Sequence, residues 1–208
     1  MANNFVNKFK NNISAEETLP TEIYYHASKK AICIELDAAN KSSAGVTVGV
    51  SVEDTGSLGS AITLNGSGEG ITSAANGTFT KTSHGLNVND RVVFTIAANA
   101  AIASGSSDTN LNSSRYYFVQ SVPSSSTFTI AESRSATTPI KFSSTGTITN
   151  VKVVALADVV RGAPIPVGGS LKVISGQKLV LESTDRIWAY CSSARNVDVV
   201  CSMLEDVS

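Results

Sequence analysis

The sequence has little charge and no long apolar run, and each shortage excludes a class of protein. Charged residues make up 16% of the 208 residues and the net charge is −1, so the chain lacks the basic surface of a protein that binds nucleic acid or a membrane surface. No stretch reaches the roughly 18 apolar residues of a membrane span. The start of the chain also lacks the apolar core of a secretory signal. These features predict no nucleic-acid partner, no membrane partner and no export.

Cysteine is scarce as well. The three cysteines, Cys33, Cys191 and Cys201, have apolar neighbours. A disulfide framework favours an even number of cysteines, and a zinc site favours paired C-x-x-C spacing with histidine partners. We therefore expect three buried thiols in a chain that is made in a reducing cytoplasm, with no metal and no cofactor.

What the sequence does contain is a β-sheet pattern. Apolar residues make up 42% of the chain and alternate with small polar ones, and 49 residues are Ser or Thr. In residues 46–52 every second residue is valine, and the same period of two places Ile32, Ile34 and Leu36 on one face. A third run, 186–191, alternates in the same way. The pattern predicts an all-β protein whose base is an antiparallel, jelly-roll-like β-sandwich.

A shift in composition indicates an insertion. Seven of the thirteen aromatic residues and none of the cysteines lie between residues 66 and 150. We predict an N-terminal arm (1–14), a base formed by both chain ends (15–65 with 151–208), and an inserted β-barrel-like domain (66–150), because domain insertion is tolerated at exposed loops. Two consecutive domains are the alternative. They are disfavoured because residues 22–54 would form only three strands without a partner for their apolar faces.

Candidate catalytic residues are few. His84, Asp90 and Arg91 bring an imidazole, a carboxylate and a guanidinium close together in sequence, but His-Gly-Leu followed by a strand-like run favours a turn that feeds a strand. A thiol nucleophile would need His26 beside a cysteine, whereas cysteines among Val and Ala are typical core residues. The sequence therefore predicts no catalytic site and no enzyme.

Two segments are candidates for a subunit interface. Pro164, Ile165 and Pro166 interrupt the strands with an apolar stretch, which either crosses between sheets or presents an apolar edge to a neighbour. Val200 and Leu204 make the last strand apolar on both faces, so both faces need a cover.

The two chain ends resemble a family of small β-rich virion proteins of tailed bacteriophages, especially phages of cyanobacterial and other aquatic hosts. The segments that carry the resemblance are FKNNI (9–13), AICIELDAAN (31–40), GVTV (45–48), VRGAPIPVGGSL (160–171), QKLVLE (177–182) and VDVVCSMLE (197–205). The first of these segments lies in the predicted arm, and the other five lie in both halves of the predicted base. In shorter relatives the two halves would be joined directly.

The inserted stretch resembles a different module. The segments HGL (84–86), NDRVVF (89–94), YFV (117–119) and STFTI (126–130) are similar to a repeat of phage tail and fibre proteins. That repeat is in turn similar to the small β-barrel beside the first catalytic-cysteine half-domain (FCCH) of ubiquitin-activating enzymes. Because the stretch has no cysteine, the resemblance implies a spacer or decoration without thioester chemistry.

The resemblances imply a non-enzymatic virion subunit, in the neck where head and tail join or in the tail. Its expected partners are copies of itself in a symmetric ring or lattice and other virion proteins such as portal, connector, tail or capsid proteins. Phe5, Phe9 and Lys10 would lie in an arm on a neighbouring subunit that is ordered only after assembly. A capsid decoration protein is one alternative. Another is a receptor-binding protein that contacts host surface glycans through exposed Tyr116 and Tyr117.

Overall fold

The computed structural model describes residues 4–56, 60–64 and 66–207. Within these residues the chain forms β-strands joined by turns, and every strand pair is antiparallel. The predicted all-β antiparallel fold is confirmed.

The chain divides into two compact units. Met1–Ser57 together with Ala155–Ser208 form one unit, the base, and Leu58–Val154 form the other, the insert. The base begins with β1 (Asn4–Lys10), β2 (Thr21–Tyr25), β3 (Lys30–Asn40) and β4 (Val46–Glu53). The insert contains β5 (Ile62–Thr63), β6 (Gly70–Ser73), β7 (Thr78–Thr80), β8 (Arg91–Ala98), β9 (Ile102–Ser104), β10 (Tyr117–Ser124), β11 (Thr127–Ala131), β12 (Lys141–Phe142) and β13 (Thr147–Val153). The base resumes with β14 (Leu156–Ile165), β15 (Ser170–Ile174), β16 (Leu179–Leu181), β17 (Arg186–Cys191) and β18 (Val197–Val207).

Strand pairing moves both boundaries of the insert outward from the predicted 66–150. β5 pairs with β13, and β13 continues to Val153 along β8. Leu64 and Val151 lie just outside the predicted boundaries, and both are buried in the insert core. These two side chains therefore belong to the insert and not to the base. The predicted boundary residue 65 lies outside the described residues.

The predicted free arm is wrong for the residues that the structure describes. Residues 4–10 form β1, which pairs with β18 along its whole length. Val6 packs against the base core and Ile13 is fully buried in it. Burial of these apolar side chains ties the start of the chain to its own base. Residues 1–3 of the predicted arm lie outside the described residues.

The base has the strand order of a jelly roll. The first base sheet runs β1-β18-β3-β15, with β16 continuing the line of β15 along β3, and the second runs β14-β4-β17-β2. With β15 and β16 counted as one interrupted strand, successive strands alternate between the sheets except at the step from β4 to β14. This alternation winds eight strands into the two Greek keys of a jelly roll, as predicted. The insert leaves the base between β4 and β14.

The inner faces of the two base sheets form one apolar core. The valines of β4 at positions 46, 48 and 50 are buried, as are Ile187, Ala189 and Cys191 of β17, so the predicted inward faces of both strands are confirmed. Side chains of β18 complete the core from the first sheet.

The predicted inward face of β3 is wrong in part. Ala31, Cys33 and Leu36 are buried, whereas Ile32 and Ile34 are only half-buried. The register of β3 against β18 shifts between Cys33 and Glu35. Because such a bulge inserts one extra residue, it exchanges the two faces of a strand, and Ile32 points away from the core.

The insert is a curled sheet around an aromatic core. Its strand order is β5-β13-β8-β10-β11-β7-β6, with a separate β12-β9 pair. β13 contacts β6, but β5 and β6 do not pair among the described residues, so the barrel-like sheet is open at this seam. The Phe79 ring stacks on Phe94 at 5.2 Å and on Phe128 at 5.0 Å, and Phe94 meets Tyr117 edge-on at 5.8 Å. This core accounts for the aromatic composition of the inserted stretch.

Candidate functional site

The outer face of the first base sheet, which is the face turned away from the base core, carries predicted residues from both ends of the chain. In the β1-β18 register Phe5 lies opposite Leu204 and Phe9 lies opposite Val200. Phe5 is 73% exposed and Phe9 is 63% exposed. Lys10 is exposed at the end of β1. The structure thus brings Val200 and Leu204 together with Phe5 and Phe9 on one surface, whereas Lys10 lies opposite the buried Val199 and belongs to the other face of the sheet.

The pair of Phe5 and Leu204 is the start of a row of apolar side chains that crosses the whole sheet. Leu204 lies opposite Ile32 on β3, and Ile32 lies opposite Val180 on β16. We call Phe5, Leu204, Ile32 and Val180 the apolar row. Sequence reasoning missed Ile32, because the bulge in β3 has no signal in the alternation, and it missed Val180, because the row depends on the register of three strand pairs.

A neighbouring row on the same face carries charge that is largely paired. Val200 lies opposite Asp37, and Asp37 lies opposite Lys172 on β15. Lys172 Nζ lies 2.7 Å from an oxygen of Glu35, and this hydrogen-bonded ion pair raises the pKa of Lys172. The outer face therefore combines exposed apolar side chains with opposite charges that offset each other.

The double-proline segment joins the two base sheets. Pro164 is exposed on β14, an edge strand of the second sheet, and Pro166 is exposed just beyond it. Ile165 is only 1% exposed, so the prediction of Ile165 as an interface residue is wrong; its side chain fills the base core. Asn40 Nδ2 donates to the carbonyls of Ile165 and Pro166 at 3.2 and 3.1 Å, which fixes the crossing between β14 and β15.

The prediction of Tyr117 as an exposed binding residue is also wrong. Its side chain is completely buried in the insert core, and Asn112 N–H donates to Tyr117 Oη at 2.9 Å. Burial raises the pKa of Tyr117 to about 12. Tyr116 is half-buried. Tyr116 lies just before β10, whereas the strand that begins at Tyr117 is buried on both faces, as the equally buried Phe118 shows.

A polar cavity of about 380 Å³ lies among the loops of the insert. Asp108 lines it, and Arg115 Nε lies 2.9 Å from Asp108 Oδ2. The Arg115 side chain is almost fully buried, and its Nη1 also approaches Glu132 at 3.6 Å, so the two carboxylates neutralise the buried cation. The other lining residues are Ile96, Asn99, Thr109, Asn110, Leu111, Asn112 and Ser113. Amide and hydroxyl groups both donate and accept hydrogen bonds, which suits a neutral ligand rich in hydroxyl groups.

The candidate catalytic histidine His84 holds a turn. Leu86 N–H donates to His84 Nδ1 at 3.0 Å, and His84 Nε2–H donates to the Ser124 carbonyl at 3.2 Å. Both ring nitrogens are therefore used by the backbone. His26 likewise accepts from Lys29 N–H through Nδ1 at 3.3 Å. The predicted turn at His-Gly-Leu fits this arrangement.

The three cysteines are free and buried, as predicted. Cys33 Sγ and Cys201 Sγ lie 3.3 Å apart inside the base, and the hydrogen bond with Cys33 together with burial raises the pKa of Cys201. Burial also raises the pKa of Cys191. Thiols whose pKa is raised are poor nucleophiles at neutral pH.

Within the described ranges, no three His, Cys, Asp or Glu side chains come together in a group that could hold a metal ion. The same residues contain no helix that is both long and apolar enough to cross a membrane. Comparison of the chain with protein-family models, with curated proteins and with solved structures finds no match.

Proposed function

We propose that this chain is a non-enzymatic structural subunit of a tailed-phage virion, located in the neck or the tail. In this proposal the jelly-roll base assembles symmetrically with copies of itself and with other virion proteins. The insert projects from the base as a spacer or decoration.

The observation that carries the proposal is the strand order of the base. Viral capsid proteins, lectins and cupins use the jelly roll, so the fold alone does not select one function. The stretches that fold into this base are the same stretches that resemble phage virion proteins, and this coincidence favours the virion among the three uses.

The outer face of the first base sheet gives further support. Exposed apolar side chains that are contiguous on a surface are typical of contact sites with other proteins. Phe5, Phe9, Val180 and Val200 are all exposed on this face or at its edge. The Cys and His side chains that a catalytic reading would need are instead engaged in core and turn contacts.

Location and copy number test the proposal. Antibody labelling of a tagged chain in purified particles, with quantitative mass spectrometry of its copies, should place it at the neck or tail in a small multiple of the ring symmetry. A capsid decoration protein would instead cover the head in far larger number. Absence of the chain from particles that are otherwise complete would contradict the proposal.

The insert cavity favours a second candidate, adhesion to host surface glycans. Its lining of Asn, Asp, Ser and Thr side chains fits a neutral, hydroxyl-rich ligand. Particles whose subunit lacks Leu58–Val154 should then assemble but fail to adsorb to the host. Normal adsorption of such particles would leave the insert with a spacer role only.

A further inference from the structure

Among the described residues, β1 is the one long edge strand of the base whose pairing has no register shift. It pairs with β18 in an unbroken register over seven residues and contains no proline. The other long edges are interrupted. β14 has two register shifts and contains Pro164, and the pairings of β15 and β2 each have one shift. Bulges, prolines and exposed charges are the usual devices that stop an edge strand from adding another strand. β14, β15 and β2 carry bulges, and β14 carries a proline as well, whereas β1 has neither and contains only two lysines.

β1 carries two lysines, but the charge of Lys8 is paired within the base and Lys10 lies at the end of the strand, so the middle of the free edge carries no unpaired charge. Lys8 turns inward, where its Nζ lies 3.2 Å from Glu205 Oε1 and 5.9 Å from the centre of the Tyr24 ring. Lys10 is the last residue of the strand. The apolar side chains that β1 leaves exposed are the two phenylalanines, Phe5 and Phe9.

We propose that β1 of one copy pairs with β1 of a second copy, antiparallel and centred on Asn7, so that the first base sheets of two copies become one continuous sheet. This inference rests on the proposed function in one respect, namely that copies of the chain contact each other. It adds the surface, the strand and the register of that contact.

The register follows from the strand itself. In an antiparallel pair, the backbone N–H and C=O groups of two opposed residues both point toward the partner strand or both point away from it. Successive residues of a strand alternate between these two orientations. When β1 pairs with a second copy of β1, the two opposed residue numbers are therefore both even or both odd, and their sum is even. Centring on Asn7 pairs all seven residues and sets Phe5 opposite Phe9 of the second copy. Lys8 then faces Val6, and no like charges are directly opposed.

The neighbouring even registers are worse. A shift in one direction sets Lys8 opposite Lys8 of the second copy, and like charges in directly opposed positions destabilise a strand pair. A shift in the other direction centres the pair on Val6 and leaves Phe9 without an opposed residue within β1, which begins at Asn4. The sequence of β1 is thus complementary to itself in one register, which is why a second copy, rather than a foreign strand, is the proposed occupant.

Cysteine cross-linking tests the register. In the Asn7→Cys variant the two introduced thiols face each other across the two-fold axis, within the Cα separation of about 4.4–6.8 Å that a disulfide needs. Copper phenanthroline, with dioxygen as the electron acceptor, should oxidise these two thiols to an intermolecular disulfide. Asn4→Cys is the matched control, because Asn4 is exposed on the same strand but faces Lys10 of the second copy. The three native cysteines are buried and do not compete.

Mass measurement by sedimentation tests the contact itself. The wild-type chain should form a dimer as concentration rises, and the Phe5→Ser/Phe9→Ser variant should remain a folded monomer, because both side chains are largely exposed within one copy. Equal cross-linking of Asn7→Cys and Asn4→Cys would overturn the inference, as would a wild-type chain that stays monomeric at every concentration. A chain that stays monomeric yet is found in purified particles would overturn this strand pairing and leave the proposed function standing. If the chain forms the dimer but is absent from purified particles, the proposed function is overturned and the strand pairing stands.

Discussion

At the scale of single residues, the second base sheet depends on the absence of one side chain. Gly49 lies in β4, and a Cβ at this position would overlap the ring of Tyr190 on the neighbouring strand. The ring is held in place, because Tyr190 hydrogen-bonds to Arg161, which pairs with Glu17 at 3.4 Å. We expect Gly49→Ala to lower the free energy of unfolding by about 1–3 kcal/mol, the usual cost of overpacking, as measured by urea denaturation.

The control for this prediction removes the ring. In a Tyr190→Ser background Gly49→Ala should be neutral or should stabilise the chain by about 0.5–1 kcal/mol, because alanine in a strand interior loses less backbone entropy than glycine. An equal loss of stability in both backgrounds would show that the cost does not come from the Tyr190 ring.

The insert buries the phenol of Tyr117, and this burial makes the folded insert less stable at alkaline pH. The pKa of Tyr117 is raised by burial to about 12 in the folded chain, against about 10 in an unfolded one. Because the folded state holds its proton more tightly, the resulting stability is complete below pH 10 and is lost as pH rises toward 12. Each pH unit in this window is worth about 1.4 kcal/mol, so we expect a total loss of up to about 3 kcal/mol.

Tyr117→Phe isolates this effect from other groups that titrate in the same range. The variant loses the acceptor of the Asn112 N–H bond and should be less stable at neutral pH, by about 1 kcal/mol. Its stability should fall less steeply between pH 10 and pH 12 than that of the wild-type chain. Parallel curves for the two proteins across this window, measured by urea denaturation, would contradict the prediction.

At the scale of elements, one buried amide joins the end of β3 to the end of β14. Asn40 Nδ2 donates to the carbonyls of Ala44, Ile165 and Pro166, and Asn40 Oδ1 accepts from Ser42. Asn40→Asp replaces the donor with an acceptor that faces three carbonyl oxygens. We expect a loss of about 3 kcal/mol or more in the free energy of unfolding, with a smaller loss at acid pH, where the introduced carboxyl regains a proton.

Asn196→Asp is the matched control for Asn40→Asp. Asn196 Nδ2 donates to the Ser193 hydroxyl at 2.7 Å, and a hydroxyl can turn and donate to the new carboxylate instead. This variant should cost less than about 1 kcal/mol. If the two substitutions cost the same in urea denaturation, the three carbonyls around Asn40 are not the cause.

The same elements show how far the sequence could predict this fold. β4 and β17 were predicted correctly because apolar residues recur at every second position of each strand and fill the base core. β3 was not, because a bulge changes its face between Cys33 and Glu35 without any mark in the sequence. β1 is predicted as an arm because the first dozen residues are rich in Asn and Lys, and only pairing with β18, a strand almost 200 residues later, makes the segment part of a sheet.

The candidate surface was harder to predict than the strands that carry it. Val200 and Leu204 could be identified because they are apolar on the second face of their strand. The alignment of Leu204 with Ile32 and Val180 depends on the registers of β3 with β18 and with β16, and registers between distant segments are set by tertiary packing. Tyr117 shows the opposite error, because a strand covered on both faces has no exposed alternate residues.

At the scale of the whole molecule, the base is closed by segments from opposite ends of the chain. β18 pairs with β1 and β3, and β17 pairs with β4 and β2. The chain must therefore complete the insert before β14 to β18 can join the strands made first. Pairings of such high sequence separation predict slow folding of the base. The insert contains only pairings within its own span and should fold earlier.

Excision of the insert tests this layout. Asp54 N–H donates to the Ala155 carbonyl at 2.9 Å, and Glu53 lies opposite Leu156 in the β4-β14 pair, so a short glycine linker can join the two halves of the base. We expect a chain that lacks Leu58–Val154 to unfold in one cooperative transition in urea. Its tryptophan fluorescence before unfolding should match that of the parent chain.

Removal of only residues 66–150 is the matched control. It leaves Leu64, Val151 and Val154 on the base without the core that buries them, and should give a less soluble protein. The prediction fails if the larger excision yields an unfolded chain while the parent folds. In that case β1–β4 and β14–β18 do not form a core that is stable alone, and the base needs the insert in order to fold.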